Sequence, residues 1–394
     1  LKRVLSSAPV PLSVERVPLA DCRGRTLAED VAALRTQPPF PASAMDGYAV
    51  RAADIAQVPA TLKVIGESAA GRRFAGEVKP SEAVRIFTGA PVPDGADTIL
   101  IQENTKADGV TVTALESETL GRYVRRAGLD FSAGDVLLKK GQRLGPAELA
   151  LAAAMNHPAL PVTRRPRVAL LATGDELVRP GEEIGPDQIV ASNTFAVRAY
   201  AENAGADVID LGIAGDNFAA IEAAIRSARA YGADVLVTLG GASVGDHDLV
   251  QTALAREGME LGFWRIAMRP GKPLMHGQIG DMRILGLPGN PVSAIVCGLL
   301  FLVPLVRALS GDPHAGDDRT EGAVLASDLP ENDSRQDYLR ARITGQKDGH
   351  PLVESFTRQD SSMLRILSEA QCLIVREAHA PAAKAGETCR MLRV

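Results

Sequence analysis

Between residues 173 and 293 the sequence gathers glycine turns, carboxylates and cations in a pattern suited to holding an anion. "TGDEL" sets Thr173, Gly174, Asp175 and Glu176 together, and "GGASVGDHD" carries Gly240, Gly241, Ser243, Gly245, Asp246 and Asp248. "RPGKP" supplies Arg269 and Lys272, and "GLPGNPVS" places Pro288, Gly289 and Asn290 ahead of Pro291. Glycines let backbone approach a ligand closely, and amides that open a helix offer N–H groups to an anion. Lys272 and Arg269 add charge suited to phosphate or another oxyanion. Glu176, Asp216, Asp246 and Asp248 are too many acids for a plain phosphate pocket unless a divalent metal stands between them and phosphate oxygens, and magnesium is the natural candidate. Taken singly, each loop is also explained by turn glycines, helix caps and solvated charge. Neither GxGxxG nor GxxxxGK[ST] is matched, so the clustering carries the reading.

Two further loops lie upstream. "PPFPASAMDGYAV" sets Asp46 before Gly47, and local chemistry reads it as a β-turn in which Asp46 bonds its own backbone. "FTGAPVPDGAD" puts Thr88 and Gly89 in a similar proline-punctuated loop. Two such loops on one β-rich segment suggest lips reaching toward a ligand.

The elements around these residues define the fold class. From about 166 to 311, "RVALLATGDEL", "ADVIDLGI", "ADVLVTLGG" and "RILGLPG" alternate with helical stretches, which is a βαβ series. Apolar strands without polar alternation predict a parallel sheet covered on both faces, a three-layer α/β domain, whose ligands bind outside the carboxyl ends of its strands. Short β-rich runs separated by turns predict an inserted β-rich domain over 31–130, and similar runs predict a small β-barrel over 313–394. Segments 1–30 and 131–164 pair into a linking unit from which the β-rich domain projects, and the α/β domain takes 165–312.

The chain has 394 residues, enough for several domains, with 46% hydrophobic and 23% charged residues, an ordinary globular composition. A formal charge of −5 gives no general pull toward nucleic acid or anionic membrane. The four cysteines, Cys22, Cys297, Cys372 and Cys389, have neither CxxC spacing nor neighbouring histidines, which points to a reducing cytoplasm rather than zinc or disulfides. "AIVCGLLFLVPLV" (294–306) is short for a membrane span and contains Pro304, so it reads as a buried helix. No signal peptide or lipidation motif is visible.

Taken together, "PPFPASAMDGYAV", "IFTGAPVPDGADTILIQEN", "GLDFSAGD", "LLATGDEL", "SNTFAVRA", "LGGASVGDHD", "RPGKP" and "GLPGNPVSA" resemble, in order over nearly the whole chain, the molybdopterin molybdenumtransferase family, the MoeA proteins related to the C-terminal domain of gephyrin. The resemblance implies that adenylylated molybdopterin is cleaved and molybdate inserted at its dithiolene, releasing AMP and molybdenum cofactor, with a divalent metal such as magnesium. It implies an elongated homodimer in which the β-domain loops of one subunit face the α/β domain of the other, the linking unit serving dimerisation. The molybdopterin adenylyltransferase and molybdoenzyme apoproteins are the protein partners it suggests.

Residue by residue, the resemblance makes Asp46, Thr88, Asp130, Glu176 and Asp216 catalytic, and Glu176, Asp216, Asp246 and Asp248 metal ligands. Thr173, Gly174, Gly240, Gly241, Ser243, Gly245, Pro288, Gly289 and Asn290 fall in the cofactor-binding loops. Arg265, Arg269 and Lys272 match a basic segment in which the family carries lysine at the first two places; arginine keeps the charge and adds bidentate reach. Arg340 in "YLRAR" and Ser361 in "RQDSSM" match tail positions. "ASVG" and "GDHD" stand where relatives often have "VSVG" and "GDYD". The competing readings are molybdopterin adenylylation, which uses a GGTG-type loop where this chain has "GGAS", and a gephyrin-like scaffold.

Overall fold

The computed structural model describes residues 1–8, 10–241 and 249–394. Its centre is a six-stranded sheet built from β1 (Arg167–Thr173), β2 (Asp207–Ala214), β3 (Val235–Leu239), β4 (Glu260–Trp264), β5 (Met275–Ile279) and β6 (Met282–Leu287), in the order β2-β1-β3-β6-β5-β4. The first four strands in that order are parallel. β5 is antiparallel to both β6 and β4, so the sheet is mixed where an all-parallel one was expected. The reason is a two-residue turn at Gly280-Asp281, where Gly280 takes φ +56° and folds β5 and β6 into a hairpin.

Helices α1 (Asn193–Ala204), α2 (Phe218–Tyr231), α3 (Leu249–Arg256) and α4 (Pro291–Leu309) cover this sheet. Successive side chains of β1 face opposite layers. Val168 and Leu170 pack with Val197, Leu302 and Leu305 of α1 and α4; Ala169 and Leu171 pack with Ile221, Ile225 and Leu254 of α2 and α3. α2 forms because Ile221, Ile225 and Ala228 fall on one face, the Asn217 side chain accepts the Ala220 amide at 2.9 Å, and Gly232 ends the helix at φ +73°. Each fully buried isoleucine there contributes roughly 1.5–3 kcal/mol.

α4 is the apolar run read from the sequence as a buried helix. It is long and apolar enough to cross a membrane, but 78% of its most apolar window is buried inside the protein. Pro304 lacks the N–H that an α-helix needs, and the turn just before it, Gly298–Leu302, is π-helical.

Within residues 47–114 the chain builds a second six-stranded sheet, in which strand Gly47–Val50 lies between Glu82–Ile86 and Thr98–Ile101. The segments before and after it meet where Val14–Pro18 pairs with Ala159–Thr163, and Val31–Ala32 with Val136–Leu138. Near the C-terminus, Gln336–Lys347, His350–Ser355, Glu321–Leu325, Thr388–Arg393 and Cys372–Arg376 pair in that order, and the last returns to the first, closing a five-stranded barrel. The short strand Met268–Arg269 pairs with Gln336–Asp337, and Val292, Val296 and Leu299 of α4 pack on Leu373 and Leu392, fixing the barrel beside the α/β domain.

Candidate functional site

β1, β3 and β6 end side by side, and a cleft of about 600 Å³ opens at their carboxyl ends. Thr173, Glu176, Gly240, Gly241, Pro288, Gly289 and Asn290 line it. The RPGKP loop reaches the same edge by a different route: it leads into the antiparallel β5, whose Met275 lies opposite Gly286, and its Pro273 also lines the cleft.

The glycines here leave room that a side chain would occupy. Gly240 and Gly241 have φ +98° and +65°, and a Cβ on Gly241 would stand 2.1 Å from Val250 Cγ2 and 3.0 Å from Thr173 Oγ1. The Thr173 hydroxyl is buried, with no hydrogen-bond partner among the described residues. A buried hydroxyl at a cleft wall is a donor available to an anion. Ser243, Gly245, Asp246 and Asp248, named from the sequence, lie outside the described residues.

Two helix starts flank the cleft. At α4, Asn290 is the N-cap residue but makes no capping bond to it; its Nδ2 donates instead to Ser361 Oγ at 3.0 Å. The Val292 amide donates to the Ser361 carbonyl at 3.0 Å, so one of the N–H groups expected to face an anion is taken by the barrel's loop. At α1, Asn193 Nδ2 donates to the Gly289 carbonyl at 2.7 Å and ties the two helix starts together.

The acids separate. Glu176 is exposed, lines the cleft, and its carboxylate folds back over Gly174, where a Cβ would lie 2.4 Å from Oε2. Asp216 is exposed on the neighbouring turn, its amide held by Asp175 Oδ1 at 2.9 Å, and it is not among the cleft-lining residues. Among the described residues no three His, Cys, Asp or Glu side chains converge to hold a metal ion, so Glu176 and Asp216 alone do not make a magnesium cage.

The cations separate too. Lys272 is exposed next to the lining residue Pro273 and has no ion pair among the described residues. Arg269 is committed elsewhere: its guanidinium pairs with Asp337 and, at 3.2 Å, with Asp333 of the barrel, which raises its pKa chiefly through the Asp337 bond. Arg265 is exposed at φ +79° with its guanidinium 4.2 Å over the Trp264 ring. Arg340 is 1% exposed and binds Gln359 Oε1 at 3.1 Å and the Asp360 carbonyl at 2.9 Å. It holds the loop that carries Ser361 rather than offering its charge to the cleft.

The upstream lips are joined. Asp46 Oδ1 accepts the Thr88 amide at 2.7 Å and the Thr88 hydroxyl at 2.9 Å, so it bridges two loops where a bond to its own backbone was expected. Gly89 N–H donates to the Ser43 carbonyl, and Ser43 N–H to the Ala90 carbonyl, closing the same junction. Asp130 is exposed at the base, its amide donating to the Gln37 carbonyl at 3.0 Å. None of the described hydrogen bonds joins residues 38–128 to 165–394, and the apolar clusters of this second sheet contain no residue of the α/β domain.

Sequence reasoning missed one whole wall. Leu177, Ile189, Val190, Ala191, Ser192, Asn193 and Thr194 line the cleft, positioned by the pairing of Leu177–Val178 with Ile189–Val190, and Ser362 closes it from the barrel side. The Ser192-Asn193 pair before a helical run was a readable cap signal. Ile189 and Val190 had none, since exposed apolar residues are common.

A glycine-lined cleft at the carboxyl ends of a wound α/β sheet, together with a second β-rich sheet and a closed barrel, defines a multidomain α/β plus β protein with a ligand-binding cleft. Three family profiles match in order: "MoeA N-terminal region (domain I and II)" over residues 1–156, "Probable molybdopterin binding domain" over 169–308 and "MoeA C-terminal region (domain IV)" over 322–393. The chain is 36% identical to the molybdopterin molybdenumtransferase of Haemophilus influenzae over 98% of this chain and 95% of that one. It is 38% identical to molybdopterin molybdenumtransferase 2 of Mycobacterium tuberculosis over 91% and 89%. The crystal structure of a molybdopterin biosynthesis MoeA protein from Pyrococcus horikoshii superposes with a TM-score of 0.82 at 29% identity, covering 100% of this chain and 98% of that one. The chain belongs to the MoeA family of molybdopterin molybdenumtransferases.

Proposed function

We propose that this protein is the transferase that inserts molybdenum into molybdopterin during molybdenum cofactor biosynthesis, using adenylylated molybdopterin and molybdate as substrates and releasing AMP. The observation that carries this reading is the cleft itself, where Gly240 and Gly241 line the ends of the strands and Gly240 lies against Gly289, with a Thr173 hydroxyl and a nearby Lys272 that have no hydrogen-bond or ion-pair partner, respectively, among the described residues. Such a wall admits a flat or phosphorylated group against backbone. Lys272 offsets the charge of an oxyanion, and the fixed donors orient the reacting groups without a covalent intermediate on the protein.

Magnesium is assigned to the phosphates of the substrate, since this ion takes one or two carboxylates and keeps the rest of its shell for phosphate and water. Glu176 is the described carboxylate on the cleft wall that would hold it. The lips at Asp46 and Thr88 are assigned to the cleft of a second copy, making a homodimer with composite sites. A reducing compartment, the cytoplasm, accords with four free cysteines.

The test is incubation of the pure protein with adenylylated molybdopterin, molybdate and magnesium. AMP release dependent on molybdate is the expected result. Formation of adenylylated molybdopterin from ATP and molybdopterin instead would make it the adenylyltransferase, and neither activity would leave a binding or scaffold protein.

A further inference from the structure

We propose that Gln359, on the barrel, is a positioning residue for the cleft of the α/β domain. Both ends of its amide are used. Gln359 Oε1 accepts the Arg340 amide at 3.0 Å and Arg340 Nε at 3.1 Å, while Nε2 donates to the Arg340 carbonyl at 2.9 Å and the Phe356 carbonyl at 2.8 Å. One side chain thus makes four bonds, three of them to a residue in the middle of barrel strand Gln336–Lys347. Arg340 is buried, and its Nη1 donates to the Asp360 carbonyl at 2.9 Å and the Met363 carbonyl at 3.4 Å. Together the pair fixes the backbone at 359, 360 and 363.

That backbone presents Ser361 and Ser362. Ser362 lines the cleft. Ser361 accepts the Asn290 side chain with its hydroxyl and the Val292 amide with its carbonyl. A barrel loop therefore serves as the cap of α4, and the cap's position is set by an interlock on the far side of that loop. Gln suits this place because its amide carries an acceptor oxygen for the Arg340 amide and guanidinium and, on a separate atom, two donor hydrogens for the two carbonyls. Losing it leaves buried groups of Arg340 without partners and frees the loop to move, so the wall that Asn290, Pro291 and Ser362 form loses its shape.

The proposal rests on the reading of the cleft as the substrate site, and two measurements separate the claims. The first needs no substrate: in Gln359→Ala, hydrogen exchange at the Val292 amide rises at least about tenfold, while the barrel pair Leu339 and Ile374 stays protected. Unchanged exchange at Val292, or equal loss at Leu339 and Ile374, overturns the proposal. The second is AMP release: Gln359→Ala raises KM for adenylylated molybdopterin about tenfold with kcat within about threefold, and Gln359→Glu, which keeps the acceptor for Arg340 but loses the two bonds donated to carbonyls, restores only part of it. Combined with Ser361→Ala, the loss stays within about twofold of the larger single effect, because both changes act on one cap. An unchanged KM, no recovery with Glu, or additive losses overturn it. A wild-type protein that turns nothing over defeats the functional reading, and the exchange result then decides this one. Should Gln359→Ala not fold, Gln359→Asn, one methylene shorter, is read by the same two measurements.

Discussion

The Asp46 carboxylate takes both donors of Thr88, its amide and its hydroxyl, across 42 residues of chain. These bonds, the amide first, hold the Asp46 pKa below the usual carboxylate value, with the Arg85 charge adding to them. A folded pKa depressed below the unfolded one stabilises the junction above the unfolded value of about 3.9 and loses that contribution as pH falls through the folded value. The expected result is that the Thr88 amide is protected from exchange at neutral pH and loses protection only under strong acid. Asp46→Ala removes the protection at all pH values while lowering Tm by less than about 2 °C, because the pair is exposed.

Gly47 is bound to its place by sterics rather than by turn freedom. A Cβ there would lie 2.0 Å from the Leu100 carbonyl oxygen, which belongs to the adjoining strand. Gly47→Ala is expected to cost about 2–4 kcal/mol, since a central strand has to move. Gly89→Ala meets no atom within 4 Å but keeps φ +81°, so it costs about 1–2 kcal/mol. Urea unfolding of the two variants beside wild type checks the order.

Lys272 and Arg269, three residues apart, are expected to behave oppositely. Lys272→Ala removes a cation without a described partner, so Tm holds while affinity for molybdate or the nucleotide ligand falls, and falls less at high salt. Arg269→Ala strips the partner from Asp337, which is buried and whose other oxygen has no hydrogen-bond partner among the described residues. That change is expected to destabilise by about 1–3 kcal/mol. Calorimetric titration with thermal melting of each variant separates the roles, and unchanged affinity in Lys272→Ala would make it a plain surface charge.

These contrasts mark where the sequence was readable. TGDEL, the Gly240-Gly241 turn and LPGN were legible as cleft loops because glycine and proline punctuate strand-to-helix turns, and such turns gather at one edge of a wound sheet. The internal pairing of Arg269 was not legible because its acids, Asp333 and Asp337, lie 64 and 68 residues further on. Charge type is written locally, whereas the choice between a ligand and an internal partner is made by tertiary packing. Arg340 illustrates the same limit: nothing in "YLRAR" says that its guanidinium is turned inward. The β5–β6 hairpin was hidden because β5, with His276, Gly277 and Gln278 in its five residues, carries no apolar strand run of its own, leaving Gly280-Asp281 as the turn signal.

The remaining prediction concerns assembly. Asp46 and Thr88 sit on a sheet that none of the described hydrogen bonds links to its own cleft, while Glu176 lies on the cleft wall. If the lips serve a second copy, each site needs Asp46 from one subunit and Glu176 from the other. Asp46→Asn and Glu176→Gln are each expected to lower AMP release by at least about tenfold as homodimers. In a heterodimer of the two, one cleft receives both altered residues and the other receives neither. Mixed dimers, isolated with two different affinity tags, should therefore recover about half of the wild-type rate, from one intact site of two. Were each site built within a single chain, every subunit in the mixture would carry one defect, and the rate would stay at that of the single variants.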